Sequence, residues 1–312
     1  MKKLKIGIPR ALLYYWYGFL WENFWDSAGF EVITSPVTDR RILMDGVNAA
    51  LDELCLPIKI FLGHVMALAP SADRIMIPHL IKVEADAYIC PKFMGLPDIA
   101  SHALPALRPK LFTVKVGPDH IDMLDSLNKT ARRLGASGRR VDLSNRPESA
   151  EIIPALAVFN SYQRNAEIAA TLTIGLLGHA YCLYDPGFNH NLLPFLIANR
   201  IRILTPEMLP PAFRGVGAAK LNKKLFWTTG RLQFDALDWF LSGNVGPIDG
   251  FISIAPFACG PEAIVSDMLE RRIKQAGKPC LKINYEEHSG EAGIITRLEA
   301  FLDLIRYHHQ AC

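Results

Sequence analysis

The sequence predicts an α/β protein built from two Rossmann-like domains with mostly parallel sheets. The main observation is an alternation of short apolar segments with helical stretches along the chain, the order that parallel β-α-β units produce. The composition agrees, because 50% of the residues are hydrophobic and 21% are charged, which is enough apolar material for a sizeable core. A length of 312 residues suits one large domain or two ordinary ones.

The first half of the chain opens with a β-α-β pattern. An apolar segment at residues 5–8 predicts a strand, an aromatic-rich stretch at 11–28 predicts a helix that ends at Gly29, and residues 30–34 predict a second strand. The later elements predicted in this half are strands at 73–77, 87–89 and 111–116 and a helix at 119–134.

A polar, turn-rich stretch over residues 135–148 predicts the end of the first domain, so we place the domains at 1–150 and 151–312. A helix over residues 150–170 leads into the second domain. The elements predicted there are strands at 173–177, 202–204, 250–256 and 280–285 and helices at 189–198, 232–241, 261–276 and 292–307. This order predicts a small doubly wound sheet with helices on both faces.

Charge and missing motifs exclude several classes of function. A net charge of +3 is too balanced for a protein whose main partner is nucleic acid or an anionic membrane surface. The chain has no G-x-x-x-x-G-K-[ST] loop and no G-x-G-x-x-G after a strand, so neither an ATPase nor a nucleotide-dependent dehydrogenase is indicated. Its apolar runs are too short for a bilayer span, and the basic N-terminus reads as a strand rather than a signal peptide, so we expect a cytoplasmic protein.

Several chemically reactive residues follow predicted strands. Parallel sheets bind ligands at the carboxyl ends of their strands, so this is where a site is expected. The residues at those positions are Cys90, His179, Cys182, Cys259, Glu286, Glu287 and His288.

The six cysteines are too few for a disulfide scaffold, which leaves free thiols, metal ligands and catalytic groups. Cys55, Cys90 and Cys259 each have a proline within two residues, a feature that recurs around Fe–S ligands. For any one of them alone, a small buried hydrophobe is the simpler interpretation, and no C-x-x-C pair occurs. Cys182 is interpreted as a ligand or a surface thiol, and Cys280 as a buried core residue.

Six motifs occur in order along nearly the whole chain. They are IGIPRAL at 6–12, DELCLPIK at 52–59, CPKF at 90–93, LGHAY at 177–181, FACGPE at 257–262 and EHSGEAG at 287–293. Together they resemble the acyl-CoA dehydratase activase-related proteins, relatives of the 2-hydroxyacyl-CoA dehydratases and the double-cubane-cluster proteins. Members of this group stand beside, or are fused to, the ATP-hydrolysing activators of those dehydratases.

The resemblance implies an Fe–S cluster held by cysteines from separate segments, in a cleft between two α/β domains. Carried over to this chain, the ligands are Cys55, Cys90 and Cys259. Three thiolates on a [4Fe–4S] cluster leave one iron open, whereas a double-cubane [8Fe–9S] cluster needs more thiolates. Cys182 stands where the family pattern has asparagine, so a fourth ligand at that position stays an alternative.

Groups around the implied ligands have expected roles of their own. Lys59 and Lys92 would offset the negative charge of a cluster, although pairing with surface acids is as good an interpretation. His64 and His179 would donate hydrogen bonds to a sulfide or a substrate, although satisfied core histidines are the simpler interpretation.

Three functions remain open from the sequence. The first is anaerobic, low-potential electron transfer or reductive chemistry, driven by an ATP-hydrolysing activator in trans that carries its own Fe–S cluster. The second is a reductase or dehydratase that acts at an open iron, with proton-transfer candidates Glu53, Glu262, Glu287 and His288. The third is a cluster-free scaffold or regulatory module for an activase, with zinc as a minor variant. A homodimer is left open.

Overall fold

A computed structural model describes residues 3–82, 87–117, 120–136, 141 and 170–311. The chain divides into two compact units. Unit 1 comprises Met1–Ala157 and Phe226–Thr228, and unit 2 comprises Val158–Leu225 and Thr229–Cys312. The helix predicted over 150–170 lies outside the described residues apart from its last residue, as does Cys312.

Unit 1 is built on a parallel four-stranded sheet with the order β2-β1-β3-β4. The strands are β1 (Lys5–Ile8), β2 (Glu31–Thr34), β3 (Arg74–Leu80) and β4 (Leu111–Val116). The central strands β1 and β3 are mostly buried, as expected for a parallel sheet covered by helices. Strand β1 pairs with β2 on one side and with β3 on the other. The chain therefore goes from β1 to one edge of the sheet and then crosses to the other side of β1.

The helices of the described part of unit 1 are α1 (Tyr14–Ser27), α2 (Arg40–Ala49), α3 (Leu56–Leu68), α4 (Pro91–Met94), α5 (Leu96–Ala103) and α6 (His120–Arg133). Helix α1 buries Trp21, Phe24 and Trp25, so the aromatic residues of this helix belong to the core. Gly29 follows it at φ +91°, a conformation that favours glycine and ends the helix.

The prediction of a strand at 87–89 is wrong. Only an isolated bridge forms there, between Tyr88 and Trp227. The Tyr88 amide donates to the Phe226 carbonyl oxygen at 2.7 Å, and the Thr228 amide donates to the Tyr88 carbonyl oxygen at 3.0 Å. Helix α4 then begins at Pro91, whose missing N–H cannot extend a ladder.

Unit 2 has a second parallel four-stranded sheet with the order β6-β5-β7-β8. The strands are β5 (Leu172–Leu177), β6 (Ile201–Leu204), β7 (Gly250–Pro256) and β8 (Cys280–Tyr285). Every residue of β7 is buried, and its bounds and those of β8 coincide with the predicted ones. The prediction of an α/β protein with two parallel sheets is confirmed.

The helices of the described part of unit 2 are α7 (Ala180–Leu183), α8 (Leu192–Ala198), α9 (Val216–Ala219), α10 (Thr228–Leu241), α11 (Gly260–Gln275) and α12 (Glu291–Ala311). Helix α10 begins at Thr228, which is grouped with unit 1. Within the described ranges, none of the helices combines the length and the apolar character that a membrane crossing requires.

Candidate functional site

Two cysteines of unit 1 lie at equivalent positions in two different helices. Cys55 is the N-cap of α3 and Cys90 is the N-cap of α4, and the two backbones are nearly identical, at φ −68° and ψ 151° against φ −65° and ψ 152°. In each helix a proline occupies one of the first two positions, where its missing N–H costs no hydrogen bond. The proline that follows each cysteine within two residues therefore fixes the turn that presents the thiol.

These two thiols are close enough to influence each other. A charge on Cys90 raises the pKa of Cys55, although 35 positions separate the two residues in the sequence. The ammonium of Lys92 lowers the pKa of both thiols. Its Nζ also donates to the backbone carbonyl oxygen of Glu53 at 2.7 Å, which ties the segment before Cys55 to the helix after Cys90.

Burial dominates the protonation of this pair, since it raises the pKa of Cys55 and of Cys90 above the ordinary 9.0. The nearby amides of Ile58 and Phe93 and the Lys92 charge oppose this rise. The Ile58 amide donates to the Cys55 carbonyl oxygen at 3.0 Å, and the Phe93 amide donates to the Cys90 carbonyl oxygen at 3.1 Å. Both groups are therefore thiols at neutral pH, and a metal ion would have to displace their protons.

In unit 2, Cys259 is the N-cap of α11 and follows strand β7. Its Sγ lies 4.0 Å from Nε2 of His179, which follows strand β5. The same Nε2 lies 3.0 Å from Oε2 of Glu262, in the first turn of α11. The carboxyl ends of two neighbouring strands thus bring an imidazole together with a thiol 80 positions later in the sequence and with the carboxylate that follows that thiol.

The acid of this group is fully buried. Glu262 is 0% exposed, and its Oε2 accepts from Nε2 of Gln233 at 2.9 Å as well as from His179. Burial lowers the pKa of His179, and the Glu262 charge opposes that shift. The ring is therefore neutral, with its proton on Nε2 facing the carboxylate. Nδ1 of His179, Oε1 of Glu262 and Oε1 of Gln233 have no hydrogen-bond partner among the described residues.

Cys182 and Cys280 differ from the sequence prediction in their burial. Cys182 is 0% exposed in α7, so the interpretation as a surface thiol is wrong, because the segment after β5 turns inward against Tyr285. Cys280 is only half-buried, so its interpretation as a core residue is also wrong, because the first residue of β8 lies near the edge of the core. Burial and Glu270 raise the pKa of Cys280 to about 12.

The other side chains predicted for the site differ in how deeply they are buried. Glu53 and His288 are exposed and Glu287 is half-buried, so of the predicted proton-transfer residues only Glu262 is deeply buried. Lys59 is 4% exposed on α3, and the neighbouring cation that lowers the pKa of Cys55 is Lys92 instead.

His64 is a satisfied core histidine of unit 1. It is 0% exposed, its Nδ1 lies 2.8 Å from Ser35 Oγ, and its Nε2 lies 2.8 Å from Thr38 Oγ1. The sequence prediction did not include Ser35 or Thr38. Ser35 directly follows strand β2, and a polar residue at the carboxyl end of a parallel strand is a candidate for ligand binding.

Part of the donor set fits the chemistry of an Fe–S cluster. Two cysteines with matched backbones and a lysine beside both fit two ligand positions and their charge compensation. No group of three or more His, Cys, Asp or Glu side chains suited to a metal ion occurs within the part of the chain that the structure describes. Unit 1 therefore supplies a fitting pair of ligands rather than a complete set.

A comparison with family models identifies the chain. Residues 5–209 match the CoA enzyme activase uncharacterised domain (DUF2229), which is more than half of the protein. The chain belongs to this activase-related family. No curated protein matches the chain in sequence.

The match covers the Cys55–Cys90 pair and reaches through His179 and Cys182 in the second unit of this activase-related protein. It ends before Cys259 and Glu262. The thiol pair of unit 1 thus lies entirely in the family domain, whereas the buried acid group of unit 2 lies partly beyond it.

Solved structures offer a weaker likeness. The chain is similar to a glucose-galactose binding protein from Geobacillus stearothermophilus, at 14% identity and a TM-score of 0.21, over 98% of this chain and 92% of that one. It is also similar to an ABC transporter periplasmic solute binding protein from Actinobacillus succinogenes with bound D-allose, at 12% identity and a TM-score of 0.22, over 98% and 92% of the two chains.

Proposed function

We propose that this member of the activase-related family is an iron–sulfur protein that transfers electrons at low potential. The observation that carries the proposal is the Cys55–Cys90 pair, in which two segments distant in sequence present thiols from matched helix N-caps with Lys92 beside both. Cys55, Cys90 and Cys259 are the proposed ligands, as the resemblance of the motifs around them implies. A [4Fe–4S] cluster, when bound, supplies one-electron redox chemistry.

The chain's own residues prepare this pair for a cluster. Pro57 and Pro91 fix the turns. Cys55 is only 6% exposed, so burial keeps water from its sulfur. Lys92 places a positive charge near both sulfurs, and such a charge favours thiolates and stabilises a negatively charged group bound to them.

The proposed partner is an ATP-hydrolysing activator that carries its own Fe–S cluster and delivers electrons in trans. Membership of the activase-related family supports a relation to such activators. The sequence has no phosphate-binding loop of the G-x-x-x-x-G-K-[ST] type, so ATP hydrolysis is assigned to the partner.

A second candidate is a reductase or dehydratase that uses unit 2 for proton transfer. The observation in its favour is the buried Glu262 carboxylate, hydrogen-bonded to His179, whose Nε2 also faces the Cys259 sulfur. A buried acid joined to a neutral imidazole is a common arrangement for moving a proton.

The test is iron and acid-labile sulfide content, with an EPR spectrum, on protein purified without oxygen. About four irons per chain would support one [4Fe–4S] cluster, and about eight would point to a double cubane. Cys55→Ser, Cys90→Ser and Cys259→Ser should each lower the iron content, whereas the control Cys280→Ser should not. A folded protein that stays free of iron after anaerobic reconstitution would favour the scaffold function instead.

A further inference from the structure

We propose that Arg10 binds an oxyanion, a carboxylate or a phosphate, at the carboxyl edge of the unit 1 sheet. The guanidinium of Arg10 makes no ion pair and no hydrogen bond with the other residues that the structure describes. Its Nε is shielded from solvent and has no acceptor there, although the residue as a whole is only half-buried. A shielded N–H donor without an acceptor costs free energy, and a bound anion would remove that cost.

Arg10 lies where parallel sheets bind ligands. It follows strand β1 by two residues, and its backbone N–H donates to Ser35 Oγ at 2.7 Å, just after strand β2. The chain passes from β1 to β2 on one side of the sheet and reaches β3 on the other, so Arg10 lies at the topological switch point. The backbone hydrogen bond to Ser35 holds Arg10 at the edge of the sheet. The guanidinium takes no part in that contact and can bind a ligand.

Glu22, an acid on the neighbouring helix α1, is already engaged by two hydroxyl groups. The Arg10 guanidinium lies 5.6 Å from the centre of the Tyr14 ring, which orients it. The Tyr14 hydroxyl donates to Glu22 Oε1 at 2.8 Å, and the Thr34 hydroxyl donates to the same oxygen at 2.6 Å. Glu22 thus takes two hydroxyl donors and forms no ion pair with Arg10, so the positive charge remains available.

The neighbouring histidine adds a rigid frame without a second charge. Ser35 Oγ accepts from the Arg10 amide and lies 2.8 Å from Nδ1 of His64. Nε2 of His64 lies 2.8 Å from Thr38 Oγ1. This chain of hydrogen bonds fixes the loop that carries Arg10. Asp39, whose charge also acts on His64, caps α2 by accepting from the Ile42 amide at 2.8 Å.

The chemistry of the group selects the ligand class. A guanidinium offers a planar set of N–H donors that matches the two oxygens of a carboxylate or phosphate, and it keeps its charge at all physiological pH values. A metal cation or an uncharged sugar would leave the arginine charge uncompensated. The proposal requires no iron, so it is independent of the proposed electron transfer.

The test uses the full chain and two probes, inorganic phosphate and acetate. The Nε–H resonance of Arg10 in a ¹H–¹⁵N spectrum, assigned by its loss in Arg10→Lys, should shift saturably with one probe or both. Binding measured by calorimetry should weaken by about tenfold to a hundredfold in Arg10→Gln, the range that loss of a charged hydrogen bond gives. The control Arg41→Gln removes an exposed arginine paired with Asp45 and should bind as the native chain does.

The two probes separate the sources of the anion. Saturation by phosphate alone would assign a phosphate-bearing ligand, and saturation by acetate alone a carboxylate. Absence of a saturable shift in the native protein with both probes would overturn the proposal. So would equal affinity of the native chain and a folded Arg10→Gln variant. The shift is measured in the native protein, and the Nε–H resonance can be assigned there by through-bond correlations to the Arg10 backbone, so the proposal stays testable if the variants do not fold.

Discussion

Lys92 donates a hydrogen bond from Nζ to the backbone carbonyl oxygen of Glu53 at 2.7 Å. The contact joins the segment that leads into Cys55 to the helix that Cys90 caps, and it holds the ammonium near both sulfurs. Its importance lies in the charge that it positions, because a partly exposed lysine adds little stability by itself.

Replacing Lys92 by glutamine should make the two thiols less acidic. The Lys92 charge lowers the pKa of Cys55 and Cys90 against the larger effect of burial, so its loss leaves a smaller thiolate fraction. We expect alkylation of both cysteines by iodoacetamide at pH 8 to slow severalfold in the iron-free protein, as followed by mass spectrometry. The exposed Lys115→Gln serves as the control. Unchanged rates in Lys92→Gln would show that its charge does not act on the pair.

His64 should make the protein less stable in mild acid. Burial and the Arg10 charge lower the pKa of His64 from 6.5 to about 3, so between these values the unfolded chain binds a proton that the folded chain does not. The full stability is present above pH 6.5 and is lost as the pH falls toward 3. The loss attributable to His64 is about 1.4 kcal/mol per pH unit inside that window.

Urea unfolding from pH 7 to pH 4 measures this slope, and His64→Gln should reduce it by about one proton. His102→Gln is a suitable control, because the ring of His102 is exposed and contacts the Asp98 carbonyl oxygen on the surface. A His64→Gln protein with the same pH slope as the native chain would contradict the assignment.

The parts of the fold that the sequence predicts well have clear end signals. Strand β7 runs from Gly250 to Pro256 and strand β8 follows Pro279, and these residues mark the boundaries in the sequence. Residues 56–68 are not predicted as a helix, because ten consecutive residues from Leu56 to Val65 are buried and the helix has no polar face to reveal its period.

The residues of the candidate sites also divide into those that the sequence signals and those that only the fold brings together. The strand-end rule identifies His179 and Cys259 from the sequence, since each follows a strand that forms, β5 or β7. Cys90 is predicted from a strand at 87–89 that does not form. Gln233 has no such signal, because it lies within α10 and meets Glu262 only through tertiary packing. The nearness of Cys55 and Cys90 is likewise a property of the folded unit 1, as their spacing matches no ligand motif.

Helices α2 and α3 should tolerate no side chain at their crossing. A Cβ added at Gly46 would overlap the carbonyl oxygen of Lys59, and backbone atoms cannot move aside cheaply. We expect Gly46→Ala to lower the free energy of unfolding by about 2–4 kcal/mol, as strongly overpacked core substitutions do. Gly293→Ala is the matched control, because α12 leaves open space there and alanine should stabilise the helix by about 0.5–1 kcal/mol. Equal stability of the two variants would contradict the close crossing.

Glu262 should stabilise unit 2 through the hydrogen bonds that meet at its Oε2. His179 Nε2 and Gln233 Nε2 both face this oxygen, at 3.0 and 2.9 Å, in surroundings without solvent. Glu262→Gln keeps the volume but replaces a charged acceptor by a neutral one and adds an amide that needs its own acceptor. The expected loss in the iron-free protein is about 1–3 kcal/mol, the range for a disrupted buried hydrogen bond.

Urea unfolding at pH 7 measures the loss, with the exposed Glu299→Gln as the control for removal of one negative charge. The double variant Glu262→Gln with His179→Asn completes a cycle that isolates the pair. If the two residues are coupled as their geometry indicates, the double variant should be less destabilised than the sum of the single ones, because each single change already leaves the other partner without its match. Strict additivity in this cycle would mean that the imidazole and the carboxylate act separately.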